Sequence, residues 1–415
     1  AEATGTDLRT GIEQLDALTG GSSDIRLSAK RDETGMTLRP STLKTAALDV
    51  SANGALKTDT GALNLTARLD DVSRLGVALS GPLTLEAEMA RSGADSPWNT
   101  RAVMNGPGGS TATLSGTLAQ DMAQADLDLT GSAPLGLSNR LTSAALTQGT
   151  STFNLGINGP LALSSVSGQV QVTPGGRIVI SSAGLALTVN RAVATLHGEQ
   201  AQLDFDASAD TGGSITASGQ VGLSGALPVD LSVGLNTLGL SDPQLYETSI
   251  DGDLSIAGSL TGAANISGAL TLGETNITIA SAGLGSGGDI PEILHRGAAS
   301  GVTQTRDRAG LIQTDSGGGS SAVYGLDVTV AAPNQIYVRG RGLDAELGGR
   351  IRVRGTTADV IPVGQFSLIR GRLSLLGKRI TMEEGSITLQ GELDPILYLV
   401  AETETDTLTV QLITE

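Results

Sequence analysis

Apolar and polar residues alternate with a period of two through almost the whole chain. The alternation is densest from Gly364 to Val400, where the pairs Phe366/Leu368, Leu373/Leu375, Ile380/Met382 and Ile387/Leu389 have polar Gln, Ser, Arg or Thr at the intervening positions. A period of two marks a half-buried β-strand. Gly371, Gly377, Gly385 and Gly391 fall between the pairs and predict turns, so this stretch reads as a meander of short strands with one apolar face. Strands this close in sequence pair antiparallel, because a parallel neighbour needs a crossover of about a dozen residues.

The same reading extends upstream. Leu63/Leu65 and Leu83/Leu85 open two half-buried strands, and Leu161/Leu163, Val170/Val172, Ile178/Ile180 and Leu185/Leu187/Val189 continue the pattern. Leu203/Phe205/Ala207, Val229/Leu231/Val233, Leu254/Ile256, Leu270/Leu272 and Ile277/Ile279 carry it to about Ala280. Helical spacing is confined to two short stretches, Asp7 to Leu18 (Leu8, Ile12, Leu15) and Leu137 to Leu146. From Gly283 to Ser321 the sequence turns polar and glycine-rich, with one turn of helix predicted at Ile290 to His295, and reads as a long mobile loop. Strands resume at Leu326/Val328/Val330, Ile336/Val338 and Ile351/Val353. The expected organisation is a repetitive strand segment over 1–282, a loop over 283–325 and a second strand segment over 326–415. The phrase Gly-x-Leu-x-Leu recurs at Gly61, Gly81, Gly159, Gly268 and Gly371 with no fixed spacing, which disfavours a β-helix or propeller.

The open question is what covers the apolar face. Helices are too few. With 57 Gly, 13 Pro, aromatics at 2% and an apolar content of 39% that rests on Ala, Leu and Val, a large ordinary core is not expected. A membrane barrel needs aromatic girdles that this composition scarcely supplies. A sheet curled lengthwise without closing would leave a groove suited to lipid tails. With a strand every ~10 to 20 residues at 4.7–4.9 Å spacing, such a sheet would run on the order of 100 to 200 Å. The expected fold is therefore all-β: an elongated, mainly antiparallel sheet curled into an open hydrophobic trough. Its predicted groove residues are Leu63, Leu65, Leu83, Leu85, Leu203, Phe205, Val229, Leu231, Val233, Leu254, Ile256, Leu270, Leu272, Ile277, Ile279, Ile336, Val338, Ile351, Val353, Phe366, Leu368, Leu373, Leu375, Ile380, Met382, Ile387 and Leu389.

Chemistry has little to build on. There is no cysteine, so neither a disulfide nor a thiolate site is available. His197 and His295 lie on different segments without a nucleophile or ligand set nearby. Asp204, Asp206 and Asp210 imitate a calcium loop but lack its sixth-position Gly and twelfth-position Glu, and read as acids on the wet side of a strand. Ser41-Thr42-Leu43-Lys44 matches a penicillin-binding motif without its companions. Gly283-x-Gly285-x-x-Gly288 and Gly340-x-Gly342-x-x-Ala345 match dinucleotide fingerprints without the βαβ context that puts pyrophosphate on a helix. The expectation is a protein that is not an enzyme and uses no cofactor or metal.

The net charge of −17 argues against binding nucleic acid, which needs a basic surface. Charge is uneven, however. Between Ile336 and Ile380 stand nine basic residues, Arg339, Arg341, Arg350, Arg352, Arg354, Arg370, Arg372, Lys378 and Arg379, against Asp344, Glu346 and Asp359. This set is either a solvated strand face or a contact for an acidic partner or lipid headgroup. The longest concentrated apolar run, Ile396 to Val400, is far short of the roughly 20 residues of a spanning helix. The opening Ala1-Glu2-Ala3, without a basic and apolar leader, reads as the start of a soluble piece of something longer.

The order of several phrases adds a resemblance. Arg339-Gly340-Arg341-Gly342-Leu343-Asp344-Ala345-Glu346-Leu347-Gly348-Gly349, then Arg354-Gly355-Thr356, Arg370-Gly371-Arg372-Leu373, Leu376-Gly377-Lys378, Glu384-Gly385-Ser386-Ile387-Thr388 and Asp394-Pro395 resemble the C-terminal domain of the TamB family, the inner-membrane-tethered subunit of the bacterial translocation and assembly module. Asp251-Gly252-Asp253-Leu254 with Ser267-Gly268, and Ala67-Arg68-Leu69 with Ser80-Gly81-Pro82-Leu83, resemble its upstream repeats. The match is dense from about Tyr246 onward. The resemblance implies a periplasmic hydrophobic trough akin to the AsmA-like bridging proteins, passage of phospholipids between inner and outer membranes, and association with an outer-membrane TamA barrel in protein assembly. It also implies an N-terminal inner-membrane anchor, which this sequence does not contain. An assembly scaffold and a surface adhesin are the alternatives; the adhesin would call for a fixed repeat period.

Overall fold

The computed structural model describes residues 2–6, 18, 21–75, 79–140, 145–180, 183–242, 245–279, 322–375, 378–392, 394–405 and 408–414. The predicted helix at Leu8, Ile12 and Leu15, the loop from Gly283 to Ser321 with Ile290 and His295, and the first glycine fingerprint lie outside them.

Two units divide the chain: Ala1–Asp242 with Glu247–Ser259 and Asn265–Gly273, and Pro243–Tyr246 with Leu260–Ala264 and Glu274–Glu415. The strands of the first are β1 (Glu2–Thr6), β2 (Ser22–Arg26), β3 (Ala29–Asp32), β4 (Gly35–Lys44), β5 (Leu48–Lys57), β6 (Gly61–Leu69), β7 (Leu83–Arg91), β8 (Trp98–Asn105), β9 (Thr111–Leu118) and β10 (Ala125–Pro134). They continue with β11 (Leu146–Gln148), β12 (Thr150–Gly159), β13 (Val166–Val172), β14 (Arg177–Ile180), β15 (Leu185–His197), β16 (Gln200–Ala209), β17 (Ser214–Gly222), β18 (Pro228–Asp242), β19 (Tyr246–Ser259) and β20 (Asn265–Leu272). The second unit holds β21 (Thr275–Thr278), β22 (Gly325–Gly340), β23 (Leu343–Thr356), β24 (Val360–Leu375), β25 (Lys378–Gln390), β26 (Ile396–Thr405) and β27 (Leu408–Thr414). Among the described residues the only helical pieces are short 3-10 turns, such as Val72–Leu75 and Leu135–Arg140.

The protein is all-β and mainly antiparallel. In the first unit β4 to β10 pair each with the next, then β10 with β12 and β12 with β13. Beyond β13 the order runs β15, β16, β17, β18. In the second unit β21 lies parallel to β22, and β22 to β27 follow in antiparallel order. Turn chemistry accounts for the short connections: Arg341-Gly342 joins β22 to β23 with φ of 47° and 84°, a two-residue hairpin in which both central residues are left-handed.

Three expectations change. Gly371 and Gly385 are not turns but lie inside β24 and β25, which are single long strands. Both strands carry β-bulges: β24 pairs Leu347 with Leu368 and Glu346 with Arg370, leaving Ile369 as the extra residue, and β25 skips Glu383 against β26. A bulge shifts the phase of alternation by one without ending the strand. Leu161 and Leu163 are not a strand: Gly159-Pro160 ends β12, since Pro has no N–H for a ladder, and Leu163 begins a 3-10 turn. The helix expected from Leu137 to Leu146 is a 3-10 turn over Leu135–Arg140, and Leu146 opens β11. Ser41 and Lys44 lie in β4, and Gly340 to Ala345 lie in the β22–β23 hairpin.

Within each unit, the elements in extensive contact are hydrogen-bonded strand neighbours or a strand and the 3-10 turn beside it. In the first unit Val72 of the 3-10 turn and Leu18 pack with Ala47 and Leu69 beside Leu83, and Leu238 of β18 packs with Leu185, Leu187 and Ala207; no longer helix or second sheet is found over the apolar faces among the described residues. Val189 is the only large side chain there that is fully buried.

Candidate functional site

Residues directly opposite in an antiparallel ladder share a face, so the register shows which apolar side chains meet. In the second unit Val328 faces Val353, Val330 faces Ile351, Ile336 faces Leu347 and Val338 faces Ala345. The rows run on through Leu347–Leu368, Leu343–Leu373 and Gly349–Phe366, then Phe366–Ile387, Leu373–Ile380, Gly364–Leu389 and Gly371–Met382, to Met382–Ala401 and Ile387–Leu397. Ile277 joins beside Val338 and is 36% exposed, and Ile279 follows at the end of β21. Leu375 is paired with Lys378 at the hairpin end. The middle of this face is buried, with Ile336, Leu347, Met382 and Ala401 at 4–6% exposure. Toward its margins Phe366, Leu368, Leu373, Ile380, Ile387 and Leu389 are half-buried.

The first unit repeats the construction. Leu63 and Leu65 stand between Gly54 and Met89, and Ala52 and Ala87, while Leu83 and Leu85 face Leu69 and Ala67. Leu203 and Phe205 face Ala194 and Ala192 on one side, Gly219 and Ala217 on the other. Val229, Leu231 and Val233 complete these rows against Val221, Gly219 and Ala217. On β19 and β20, Leu254 faces Gly268, Ile256 faces Ile266, Leu270 faces Gly252 and Leu272 faces Ile250.

A feature that strand-by-strand reading passes over is the glycine opposite the leucine. Gly116 faces Leu127, Gly168 faces Leu155, Gly219 faces Leu231, Gly268 faces Leu254 and Gly364 faces Ile351. Their φ values are 141°, 125°, 146°, 149° and 148°, a mirror-image extended backbone that glycine alone enters freely. A Cβ at any of them would lie 2.1–2.4 Å from a carbonyl oxygen of the neighbouring strand. The face is thus paved with large aliphatic side chains beside positions that cannot hold one. The signal was present as Ser-Gly inside an alternating run, at Ser115-Gly116, Ser167-Gly168, Ser218-Gly219 and Ser267-Gly268. Glycine kinks and bulges are the devices that curve a sheet. At one end of the first unit the curvature is direct: a Cβ on Gly184, just before β15, would lie 2.7 Å from the Ser241 carbonyl oxygen of β18, where a flat sheet would hold strands three apart at about 14 Å.

Arg339, Arg350, Arg352, Arg354, Arg370, Arg372 and Arg379 occupy the reverse face of the second unit, and most are matched there. Arg352 donates to both carboxylate oxygens of Asp327, at 2.6 and 2.7 Å, and Arg354 lies 4.0 Å from the same group. Hydrogen bonds from Arg352 hold the Asp327 carboxyl below its usual pKa. Asp344 receives Arg372 at 2.6 Å and Arg339 at 3.4 Å, and Arg370 bonds the nearly buried Glu346 at 2.6 Å. Glu346 also accepts the Gln335 backbone N–H at 3.3 Å, and Arg339 stacks 4.7 Å from the Tyr337 ring. Arg350 and Arg379 are exposed. The acids of β16 are engaged similarly: Asp204 with Arg191 at 2.7 Å, Asp206 with Asn190 at 2.6 Å and Asp210 with Arg177. Arg341, in the β22–β23 hairpin, lines an apolar cavity of about 210 Å³ with Leu343, Leu373, Met382 and Leu399.

No helix of the described residues is long and apolar enough to cross a membrane. No curated protein matches the chain. The sequence model of the TamB C-terminal domain, by contrast, matches residues 199–414, more than half of the 415 residues and the part where the phrases Arg339 to Gly349 and Arg370 to Leu373 fall. The chain belongs to the TamB C-terminal domain family.

Proposed function

We propose that this protein is a non-enzymatic periplasmic conduit that shields phospholipid acyl chains from water on their way between inner and outer membranes. The observation that carries the reading is the apolar face that runs from strand to strand in each unit and that, among the described residues, is covered only in part, by Leu18 and Val72 beside Leu83 and by Leu238 beside Leu187. Burying a methylene is worth roughly 0.8 kcal/mol, so an acyl chain is held well in total. Rows of similar Leu, Ile and Val residues offer equivalent seats, and sliding between them costs little. The mechanism is passive, and direction is supplied from elsewhere.

Mass spectrometry of organic extracts tests this, using chain purified without detergent and a similarly acidic control. Phospholipid in molar proportion to the chain is expected. A folded, strand-rich protein that is free of lipid would overturn the conduit.

A second reading, an assembly scaffold for a TamA-like barrel, is favoured by β27, which among the described residues is hydrogen-bonded along one edge only. Such an edge can accept another strand. A cysteine at Gln411 should then crosslink to a barrel strand in membranes, and its failure to crosslink to any outer-membrane protein would retire this reading.

A further inference from the structure

We infer that strands β15 to β18 form the constriction of the first unit's acyl path, a lane between two sealed margins that lipids pass in single file and that sets the rate of transfer. This rests on the conduit reading and deepens it, by naming the place in the face that limits passage.

Burial marks both margins. At one, Leu185, Leu187, Ala207 and Leu238 are 7% exposed or less and form a core of their own, with Ile178, Ile215 and Leu240 packed on it. At the other, Ala201 and Val229 are 4% and 5% exposed. Between them β16 offers only Leu203 and Phe205, and β17 only Gly219 and Ala217 opposite them. No inward residue of these four strands is exposed, whereas Leu56 and Leu63 on the inward side of β5 and β6 are 45% and 38% exposed. Two phase shifts build the sealed core. Asn190 is the extra residue of β15 against β16, and its side chain donates to Asp206 Oδ1 at 2.6 Å and Ser208 Oγ at 2.8 Å. On β18 the inward positions are odd-numbered through Leu235 and even-numbered from Leu238. Thr237 stands between them with φ of 47°, its N–H and hydroxyl bonded to Asp251 Oδ1 at 2.7 and 3.3 Å. An extra residue bends its strand and moves the apolar series to the other parity, so Leu187 and Leu238 stay inward while the strand ends turn toward each other, as far as the Gly184–Ser241 approach. At β5 and β6 an acyl chain has alternative rows to follow; at β15 to β18 it has one lane, and a path of varying width is limited where it is narrowest.

The test sets the same bulk in the lane and in the wider part of the face. Phospholipid transfer between donor and acceptor vesicles is followed with the full chain carrying Ala217→Phe, in the lane beside Phe205 and Val233, or Ala87→Phe, beside Leu65 on the wider part. Circular dichroism checks that each variant is folded. Ala217→Phe should slow transfer about tenfold, the effect of one overpacking side chain on a barrier, and Ala87→Phe less than about twofold. Ala194→Phe, beside Leu203 on β15, should repeat the Ala217→Phe result and decides the matter if that variant does not fold. Equal slowing by the lane variants and Ala87→Phe, or transfer unchanged by the lane variants, would overturn the constriction alone. A native chain that moves no phospholipid would overturn the constriction and the conduit together.

Discussion

At the level of single residues, the glycines of the apolar face behave unlike those of the turns. Gly219 has φ 146°, and a Cβ there would lie 2.1 Å from the Asp230 carbonyl oxygen and 2.9 Å from the Leu231 Cα. Gly225, with φ 63°, has nothing within 4 Å. Gly225→Ala should cost about 1 kcal/mol, the price of a left-handed alanine. Gly219→Ala adds a backbone collision that no rotamer relieves, and should cost more than about 2 kcal/mol. Thermal midpoints of the two variants check the order; equal midpoints would mean that β17 and β18 can separate without penalty. The same scale holds a carboxylate effect on the reverse face. The Arg352 hydrogen bonds lower the Asp327 pKa from its ordinary 3.8, so the group stabilises the fold above that value and loses the contribution as pH falls through its lowered folded value. Asp327→Asn should therefore lower the melting temperature at pH 7, and the gap to the native chain should close below pH 3.8. A gap that persists under acid would assign the effect to packing. Sequence made the alternation legible, and Ser-Gly inside the runs marks four of these glycines, but a period-two pattern records which residues are large and says nothing of the φ between them.

At the level of elements, the bulges decide which side chains reach the apolar face. Before Ile369 the even-numbered residues of β24, Phe366 and Leu368, face it; after Ile369 the odd-numbered Gly371 and Leu373 do. That change of phase is visible in the sequence, and a turn at Gly371 explains it as well as a bulge does. Only the pairing partners separate the two, because β23 and β25 run on past the irregularity. Deleting Ile369 removes the extra residue and should leave Gly371 and Leu373 on the apolar face and Arg370 and Arg372 on the reverse face, in one unbroken alternation against β23. Amide exchange should then keep protection at Leu373 and Ile380 as well as at Phe366 and Ile387. Loss of protection at Leu373 and Ile380 alone would show that β24 needs the extra residue to stay in register with β25. The basic cluster has a related explanation. Counting charges between Ile336 and Ile380 shows an excess of cations, but Asp327 lies outside that window and reaches Arg352 and Arg354 through the β22–β23 register. Pairing across strands is what a linear count omits.

For the molecule as a whole, the distinction that matters is between one path and many separate seats. A conduit fails as a series does: one blocked point stops flow, whereas separate seats fail in parallel and lose only their own share. Leu231 lies among Gly219, Leu203 and Phe205 in the first unit, and Leu373 between Leu343 and Ile380 in the second. An aspartate at either place sets a charge where an acyl chain would pass, and leaving it unpaired there costs several kcal/mol. Leu231→Asp and Leu373→Asp should each reduce phospholipid transfer between donor and acceptor vesicles to background, while lipid carried through purification falls only in part. The contrast between the two readouts is the diagnostic. A transfer rate that falls in proportion to retained lipid in each variant would describe a row of independent binding sites. Normal transfer by a folded variant would mean that lipid does not travel along these rows at all, and would leave the uncovered face to be filled by protein.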